Sequence, residues 1–299
     1  MMVDGLLSEL DSRGICYKVE YSVRSACTFK VGGVTPLALF PIDEGQLVEC
    51  VAMLDRHEFP FRVIGRGSNT IFADGKLQNA IIFTQSVDYV CVEDTVVRCG
   101  AGVGLMPLAS FLCKSALTGF EFACGIPGSI GGAMYMNAGA HGGAMESVVT
   151  ESRAYNRKSG QIEIITDHGF GYRKSIYLSR PELVCLGATL KLERENEDSI
   201  RGHMRSLLES RRKSQPLDFP SAGSYFKRPA GDFAGRLIEV CGLKGVRVGD
   251  AQVSEKHAGF IVNRGNANFG QIMELEALVR NTVREQTGVE LEREVEIVR

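Results

Sequence analysis

The chain has 299 residues, a formal net charge of −2 and 44% hydrophobic residues, which is typical of a globular protein with one or two domains. The near-neutral charge excludes a general nucleic-acid-binding protein, and no apolar run approaches the ~18 residues of a membrane span. Residues 200–264 nevertheless hold twelve Lys or Arg against six Asp or Glu. Such a segment suits a small anionic ligand, although a solvated basic face would have the same composition.

The cysteine and histidine patterns indicate the redox environment of the protein and whether it binds a metal. Nine cysteines are scattered without a CxxC pair, and the five histidines show no metal-ligand spacing. This pattern predicts a reducing environment without a disulfide framework and without a bound metal. The first residues lack a basic start followed by a long apolar core, so we expect a cytoplasmic protein without a signal peptide.

The order of apolar patterns predicts an α+β fold. Up to residue 84 we expect a helix over 3–13, a strand ending at Gly33, a strand over 38–41, a helix over 44–56, a strand entering a glycine turn over 62–69 and a strand over 80–84. Short strands fill 89–193 around one helix over 107–117. A helix over 199–213, an extended segment over 214–229, a helix ending before Gly242, a helix over 269–288 and a strand over 289–298 complete the prediction.

A glycine-rich segment over residues 122–143 carries the strongest functional signal. Large apolar residues such as Phe122 and Ile126 are interleaved with its glycines, which excludes a disordered linker. Because each interior glycine costs a helix about 1 kcal/mol relative to alanine, we expect irregular backbone here rather than a helix. Such backbone can approach a ligand closely and present N–H groups to a phosphate. A tight turn packed within a sheet is the alternative, and it explains fewer of the glycines.

Two shorter glycine motifs lie outside this block. GRGSN, residues 65–69, places two glycines, a hydroxyl and an amide after an apolar strand and is a candidate phosphate cradle. GAGVG, residues 100–104, lacks the spacing and the following acidic residue of a dinucleotide-binding βαβ unit. We therefore reject a Rossmann site, and no P-loop sequence is present.

Three further segments supply side chains that could take part in chemistry. In SAGSYFKRP, residues 221–229, a serine is a nucleophile, a proton donor or an ordinary turn residue, and no GxSxG motif surrounds it. Arg173 in GYRKSIY can bind a carboxylate through its planar fork or lie on the surface. The strand LEREVEIV, residues 291–298, has one acidic face whose glutamates are either functional or merely solvated.

Taken together, these segments resemble the UDP-N-acetylenolpyruvoylglucosamine reductase (MurB) family from about Cys27 to Val298. The matching segments are TFKVGG, VIGRGSNTIFADG, GAGVGLMPLA, GFEFACGIPGSIGGAMYMNAGAHGG, GYRKSIY, SAGSYFKRP, KHAGFIVNRGNA and LEREVEIV. The resemblance implies a two-part FAD-binding domain of the PCMH (vanillyl-alcohol-oxidase) type and a C-terminal α+β substrate-binding domain. It implies a first FAD subdomain over 1–84 with 289–299, a second over 85–198 and a substrate domain over 199–288.

The resemblance also implies a reaction. FAD, bound non-covalently, would take a hydride from NADPH and pass it from N5 to the vinyl carbon of UDP-N-acetylglucosamine enolpyruvate, a peptidoglycan precursor. A proton donor and stabilisers of the developing enolate are then required. The matching positions are Ser224 as proton donor, with Arg173 and Glu294 at the carboxylate and enolate. That Lys227 polarises the Ser224 hydroxyl is our own hypothesis.

The remaining site residues follow by match to the family's motifs. The implied FAD contacts are Gly65, Arg66, Gly67, Ser68, Asn69, Pro127, Gly128, Ser129, Gly131, Gly132, Asn137, Ala138 and Gly139. The implied substrate contacts are Tyr172, Lys213, Gln215, Lys227 and Arg228. Lys213 and Gln215 bracket the place of a family lysine that this sequence does not clearly match.

One departure concerns how the substrate is covered. The family's first class has an inserted tyrosine-bearing loop, for which the short span between GYRKSIY and SAGSYF leaves no room, so the chain resembles the compact second class. The alternatives are another flavoprotein oxidase or dehydrogenase of the same fold, and a non-catalytic nucleotide-binding protein. We expect a monomer that binds neither nucleic acid nor membrane.

Overall fold

The computed structural model describes residues 2–299, which contain eight α-helices, three short 3₁₀ helices and nineteen strands joined by turns and loops. The elements up to residue 120 are α1 (Met2–Ser12), β1 (Cys16–Ser22), β2 (Val34–Phe40), α2 (Glu44–Arg56), β3 (Phe61–Ile64), β4 (Thr70–Phe72), β5 (Ala80–Phe83), β6 (Val90–Glu93), β7 (Val96–Gly100), α3 (Leu105–Lys114) and β8 (Leu117–Thr118). Those from 121 to 214 are α4 (Ile130–Met136), β9 (Gly139–Ala140), β10 (Gly143–Ala144), β11 (Val149–Asn156), β12 (Gln161–Ile165), α5 (Ile176–Ser179), β13 (Leu183–Lys191), β14 (Glu193–Arg194) and α6 (Glu197–Ser214). The chain ends with β15 (Ser221–Ser224), α7 (Ala234–Val240), β16 (Arg247–Val248), β17 (Ala251–Val253), β18 (Phe260–Asn263), α8 (Phe269–Thr287) and β19 (Glu296–Val298). The α+β prediction is confirmed.

The chain forms two units and passes between them several times, so each unit is built from three separate segments. The first takes in the chain up to Val19 with Leu37–Arg66 and Asn79–Ser210, and the second combines Glu20–Pro36, Gly67–Gln78 and Arg211–Arg299. This division differs from the three-part division implied by the resemblance, whose boundaries stay a prediction.

Parallel strand pairing in the first unit follows from the β2–α2–β3 crossover. The sheet has the order β1-β2-β5-β3, and β5 pairs in parallel with both β2 and β3. Helix α2 has the predicted bounds because Asp43 caps it, accepting a hydrogen bond from the Gln46 N–H at 2.8 Å. Its apolar face is fully buried within one hydrophobic cluster with residues of the sheet.

The other sheet of the first unit is antiparallel, with the order β12-β11-β13-β7-β6. Helix α4 lies against β13 and also contacts β7. Its residues Ile130, Ala133 and Met134 are buried in the hydrophobic cluster that this sheet shares with α3. The apolar residues of the glycine-rich segment are therefore part of a packed core, whereas Pro127 and Gly132 of the same segment are exposed.

The second unit contains the antiparallel sheet β15-β18-β17-β16 and the parallel pair β19-β4. Helix α8 begins with a capping box, in which Asn268 and Gln271 bond each other's backbone N–H groups. It ends at Gly288, whose φ of 74° is the left-handed conformation that glycine favours. Both ends agree with the prediction over 269–288.

Four local predictions were wrong. The helix predicted over 107–117 ends already at Lys114, and the strand β8 begins at Leu117. No strand ends at Gly33, because Lys30 (φ 60°) and Gly32 (φ 141°) turn the backbone, and β2 begins only at Val34. The glycine-rich segment does contain a helix, α4, since burial of its apolar side chains outweighs the cost of its two glycines. The closing strand is confined to Glu296–Val298, although Leu291 and Val295 before it are buried as the alternation predicts.

Candidate functional site

The start of helix α4 is fixed by two loop carbonyls. The Ile130 N–H donates to the Val103 carbonyl at 2.9 Å, and the Gly131 N–H donates to the Ala101 carbonyl at 2.8 Å. These two amides therefore do not point freely towards a ligand, which corrects the expectation of bare N–H groups along the whole glycine block. Gly131 is needed for packing, because a Cβ there would lie 3.0 Å from that of Ala101.

Ser129 precedes α4 and has an unusual hydroxyl. The residue is 1% exposed, and its Oγ has no hydrogen-bond partner among the described residues. A Cβ on Gly65 would lie 2.1 Å from this Oγ, so the backbone of the GRGSN turn lies directly against it. Buried hydroxyls almost always have a partner, so the Ser129 hydroxyl fits a site that a polar ligand completes.

The other predicted FAD contacts in the first unit lie close to Gly65 or Ser129 in the sequence. The guanidinium of Arg66 packs against Gly104, where a Cβ would lie 2.6 Å from its Nη2. Pro127 and Gly132 are exposed, while Gly128, Ala138 and Gly139 are half-buried.

Asn137 is engaged with the protein itself. It ends α4 in the left-handed region (φ 42°), its Nδ2 donates to the Gly171 carbonyl at 3.0 Å, and its Oδ1 accepts from the Glu146 N–H at 3.1 Å. Ser175 adds a second link, because its Oγ donates to the Tyr135 carbonyl at 2.7 Å. These contacts attach the segment 171–175 to the end of α4.

Arg173 lies at the turn of that attached segment. Its φ of 53° is rare for a non-glycine residue and persists only where the surroundings hold it. The Lys174 N–H donates to the Gly171 carbonyl at 3.0 Å, and the Arg173 guanidinium lies 5.1 Å from the ring centroid of the exposed Tyr172. Seven other non-glycine residues also have a positive φ, so this conformation alone does not separate a functional position from a surface turn, and the role of Arg173 stays a prediction.

A buried polar chain supports the same loop from its other side. The Ser152 Oγ lies 2.9 Å from His168 Nε2 and 2.7 Å from the Tyr177 hydroxyl, and the His168 ring stacks on Phe170. The Ile176 N–H also donates to the His168 carbonyl at 2.6 Å. Burial lowers the pKa of His168 from its usual 6.5, so the ring is neutral at pH 7.

We expect this histidine to make stability pH-dependent. Below about pH 6.5 the unfolded chain binds a proton that the folded His168 refuses, so stability falls as the pH falls through that window. One such group contributes at most about 1.4 kcal/mol per pH unit. Urea unfolding at about pH 7.5 and about pH 5.5 should show a smaller acid loss for His168→Gln than for wild type. Equal acid losses would contradict this role, and His203→Gln is a control at an exposed histidine.

Ser224 ends strand β15 in the second unit, with its side chain exposed. It pairs with Phe260 on β18, and the next residue's N–H, that of Tyr225, donates to the Gly259 carbonyl at 2.8 Å. The Tyr225 carbonyl accepts from the Glu294 N–H at 2.9 Å. The backbone that carries the exposed Ser224 side chain is thus fixed on both sides, and the residue after Ser224 is bonded to the backbone of Glu294.

The second half of the GRGSN turn also belongs to the second unit. The Asn69 Nδ2 donates to the Glu294 carbonyl at 3.1 Å, and the Asn69 carbonyl accepts from the Glu296 N–H at 2.9 Å. Gly67 has a φ of 58°, and a Cβ there would lie 2.5 Å from the Ala26 carbonyl oxygen. Ser68 lies half-buried between them. The turn therefore also positions the segment that carries Glu294.

The predicted substrate residues of the second unit differ in their surroundings. Lys213 is exposed in the last turn of α6, whereas the Oε1 of Gln215 is buried without a partner among the residues described. Lys227 forms an ion pair with Glu292, and the Arg228 guanidinium lies 4.5 Å from the Phe233 ring centroid. The proposed effect of Lys227 on Ser224 stays a prediction, since its ammonium is held by a carboxylate.

Sequence reasoning did not identify several residues that organise the site. They are Ser152, His168, Ser175 and Tyr177 in the first unit and Tyr225, Glu276 and Arg293 in the second. A glutamate on an otherwise apolar stripe of α8 was the one signal available for Glu276.

The described residues offer neither a metal site nor a membrane-spanning helix. Within residues 2–299 no three His, Cys, Asp or Glu side chains are grouped so as to hold a metal ion. Over the same residues, no helix combines the length and apolar character that a bilayer crossing requires. No two of the nine cysteines, all of which lie within the described residues, form a disulfide bond, and burial raises the pKa of Cys50 and of Cys99 to about 12.

Two protein-family models match this chain and define the class of protein to which it belongs. Residues 36–166 match the model of an FAD binding domain, and residues 215–298 match the UDP-N-acetylenolpyruvoylglucosamine reductase C-terminal domain. The match and the glycine-walled site together define a flavoprotein oxidoreductase.

Relatives then give the family. UDP-N-acetylenolpyruvoylglucosamine reductase of Fervidobacterium nodosum is 42% identical over 90% of this chain and 87% of its own length. The enzyme of the same name from Caldanaerobacter subterraneus is 40% identical over 98% and 96%. The crystal structure of UDP-N-acetylenolpyruvylglucosamine reductase (MurB) from Thermus caldophilus matches with a TM-score of 0.79 and 32% identity, covering 95% of this chain and 99% of that one. The chain belongs to the UDP-N-acetylenolpyruvoylglucosamine reductase family.

Proposed function

We propose that the chain uses NADPH to reduce UDP-N-acetylglucosamine enolpyruvate to UDP-N-acetylmuramate, with the residue roles given below. The observation that carries the proposal is the exposed hydroxyl of Ser224, held on a rigid backbone next to the Glu294 segment. Bound FAD supplies hydride transfer between NADPH and the enolpyruvyl double bond. The side chains of this chain then have to bind the substrate, stabilise negative charge and deliver one proton.

The residues present fit FAD. The unpartnered Ser129 hydroxyl offers a buried polar group, and the close approach of Gly65 leaves no side chain between the turn and that hydroxyl. Gly132 and Gly128 add small residues at the accessible edge of the same segment. Together with Arg66, which supplies a positive charge near Gly104, these features suit a pyrophosphate-bearing cofactor.

A methyl group at Gly65 should therefore weaken FAD binding. Because its Cβ would lie 2.1 Å from Ser129 Oγ, Gly65→Ala must displace that hydroxyl or the turn. We expect a cost of about 1–3 kcal/mol in FAD affinity, as for other overpacked sites. Fluorescence titration of apoprotein with FAD measures it. Gly202→Ala is the matched control, because a Cβ there meets no atom within 4 Å, and equal affinities for both variants would contradict the proposal.

Ser224 is proposed as the proton donor. Hydride addition to one vinyl carbon leaves the other as an enolate, which must take a proton to complete the lactyl ether. A serine hydroxyl is a weak acid, so it can donate only to a strongly basic carbon held within hydrogen-bond reach. Its fixed backbone supplies that positioning.

Arg173 and Glu294 are proposed to handle the negative charge. The Arg173 guanidinium suits the substrate carboxylate, because its fork binds both oxygens and its charge opposes the developing enolate. Next to an enolate, Glu294 stabilises charge only as a neutral acid that donates a hydrogen bond. The basic residues of the substrate domain, with Lys213, Lys227 and Arg228 among them, suit the diphosphate of the UDP-sugar.

Cellular context follows from this chemistry. The product is a precursor of peptidoglycan, so the activity belongs to cell-wall synthesis and, through it, to cell shape and division. The nucleotide substrates NADPH and UDP-sugar are cytoplasmic, and we propose that the enzyme acts there as a monomer.

Two simple measurements test the proposal. The purified protein should carry yellow, non-covalent flavin, and it should oxidise NADPH rapidly only when the enolpyruvyl UDP-sugar is present. A colourless preparation that takes up no FAD would exclude both the proposed reductase and any other flavoenzyme. Rapid NADPH oxidation that ignores the sugar would favour an oxidase or dehydrogenase of the same fold.

A further inference from the structure

A buried carboxylate in the second unit is bonded to the residue that follows Ser224. Glu276, on helix α8, is 3% exposed, and its Oε2 accepts a hydrogen bond from the Tyr225 hydroxyl at 2.9 Å. Arg293 binds the same carboxylate through two parallel bonds, from Nε to Oε2 and from Nη2 to Oε1, both at 2.8 Å. The two-pronged geometry fixes the orientation of the carboxylate as well as its distance.

Tyr225 and Arg293, which hydrogen-bond to Glu276, are the sequence neighbours of two proposed catalytic residues, whereas Arg280 pairs with Glu276 at a longer distance of 3.8 Å. Tyr225 follows Ser224, and Arg293 precedes Glu294. Their backbones run side by side, because the Glu294 N–H donates to the Tyr225 carbonyl at 2.9 Å and the Lys227 N–H donates to the Glu292 carbonyl at 2.8 Å. One carboxylate thus holds both segments at the point where the catalytic side chains emerge.

We propose that Glu276 is a positioning residue, which through Tyr225 and Arg293 sets the placement of Ser224 and Glu294 for proton delivery. The inference rests on the proposed function, since it requires Ser224 to act as proton donor. Backbone hydrogen bonds alone restrain the two segments along the strand direction, whereas the bonds to Glu276 anchor them to the face of α8. Proton transfer is sensitive to such placement, because an error of about 1 Å can cost a factor of ~10² in rate.

Measuring the two half-reactions separately distinguishes a loss of catalytic positioning from a general loss of protein stability. Reduction of the flavin by NADPH needs no proton from Ser224, whereas reoxidation by the enolpyruvyl sugar does. In Tyr225→Phe the ring stays and only the bond to Glu276 is lost. We expect reoxidation to slow about tenfold, flavin reduction to stay within about twofold of wild type, and the solvent isotope effect on reoxidation to rise as proton transfer becomes limiting.

A second variant and a control complete the test. Glu276→Gln keeps the side-chain shape but presents an amide to Arg293, so we expect a reoxidation loss at least as large as that of Tyr225→Phe. Glu290→Gln is the matched control, because Glu290 is an exposed glutamate that pairs at 2.6 Å with Arg280, an outer neighbour of Glu276. It should leave both half-reactions unchanged.

Each outcome bears on one of the two proposals. If Tyr225→Phe and Glu276→Gln reoxidise at the wild-type rate while Ser224→Ala is slow, the positioning role of Glu276 is wrong and the proposed function stands. If both half-reactions and the unfolding midpoint fall in parallel in these variants, Glu276 is merely structural and the inference is overturned. If Ser224→Ala itself reoxidises at full rate, the proposed function fails.

Discussion

Replacing Ser224 with alanine is expected to slow substrate reduction by about 10²–10⁴, because a positioned proton donor contributes a factor of this size. The loss should appear in kcat and in the reoxidation of reduced flavin by the enolpyruvyl sugar. Flavin reduction by NADPH should stay at the wild-type rate, since that step uses no proton from Ser224. Stopped-flow absorbance of the flavin measures the two steps separately.

Ser221 supplies the matched control for that experiment. It lies at the other end of β15, in the same motif, and its carbonyl rather than its hydroxyl accepts the bond from the Thr28 Oγ1. Ser221→Ala should therefore reoxidise at the wild-type rate. A full-rate Ser224→Ala, or equal losses in both variants, would show that Ser224 is an ordinary turn residue.

Replacement of Arg173 should give the other large effect. Arg173→Gln removes the charge proposed to meet the substrate carboxylate and the enolate, so we expect kcat/KM for the UDP-sugar to fall by about 10²–10³. Arg173→Lys should fall between this variant and wild type, because lysine keeps the charge but loses the fork. Steady-state kinetics with each substrate varied in turn provide the comparison.

A nearby arginine controls for surface charge. Arg180 follows α5 and pairs with Glu163 and Glu182 on the protein surface. Arg180→Gln should leave kcat/KM for the UDP-sugar near the wild-type value. If the two arginine variants lose activity equally, Arg173 has no special role in the reaction.

Local signals were enough to predict most helices. Asp43 caps α2 and Gly288 ends α8, so both helices have the predicted bounds within a residue. The same signals failed at α4, because its formation depends on packing against β13 and on the bonds of Ile130 and Gly131 to a distant loop. The helix propensity of glycine does not include the stabilisation that comes from these tertiary contacts.

The proposed catalytic residues were inferred only through the resemblance to a family, and their roles stay predictions. Nothing in the spacing of SAGSYF and LEREVEIV indicates that the Glu294 N–H bonds to the Tyr225 carbonyl. The Glu276 bonds join residues 51 and 17 positions apart in sequence, and a glutamate on a helix is ordinarily solvated. Asn137 gives the converse case, since a residue predicted to contact the cofactor uses its side chain to hold the Arg173 loop.

The central claim is that hydride reaches one carbon of the enolpyruvyl group and that Ser224 delivers a proton to its neighbour. A single turnover with NADPH deuterated at the transferred position, run in ordinary water, tests it most directly. Deuterium that flavin N5 does not exchange with water is expected on the terminal carbon of the lactyl group, and none is expected on the carbon bonded to the ether oxygen. Ser224→Ala should slow product formation without moving the label. Deuterium on the carbon bonded to the ether oxygen, or a flavin that stays reduced in the presence of the sugar, would contradict the account.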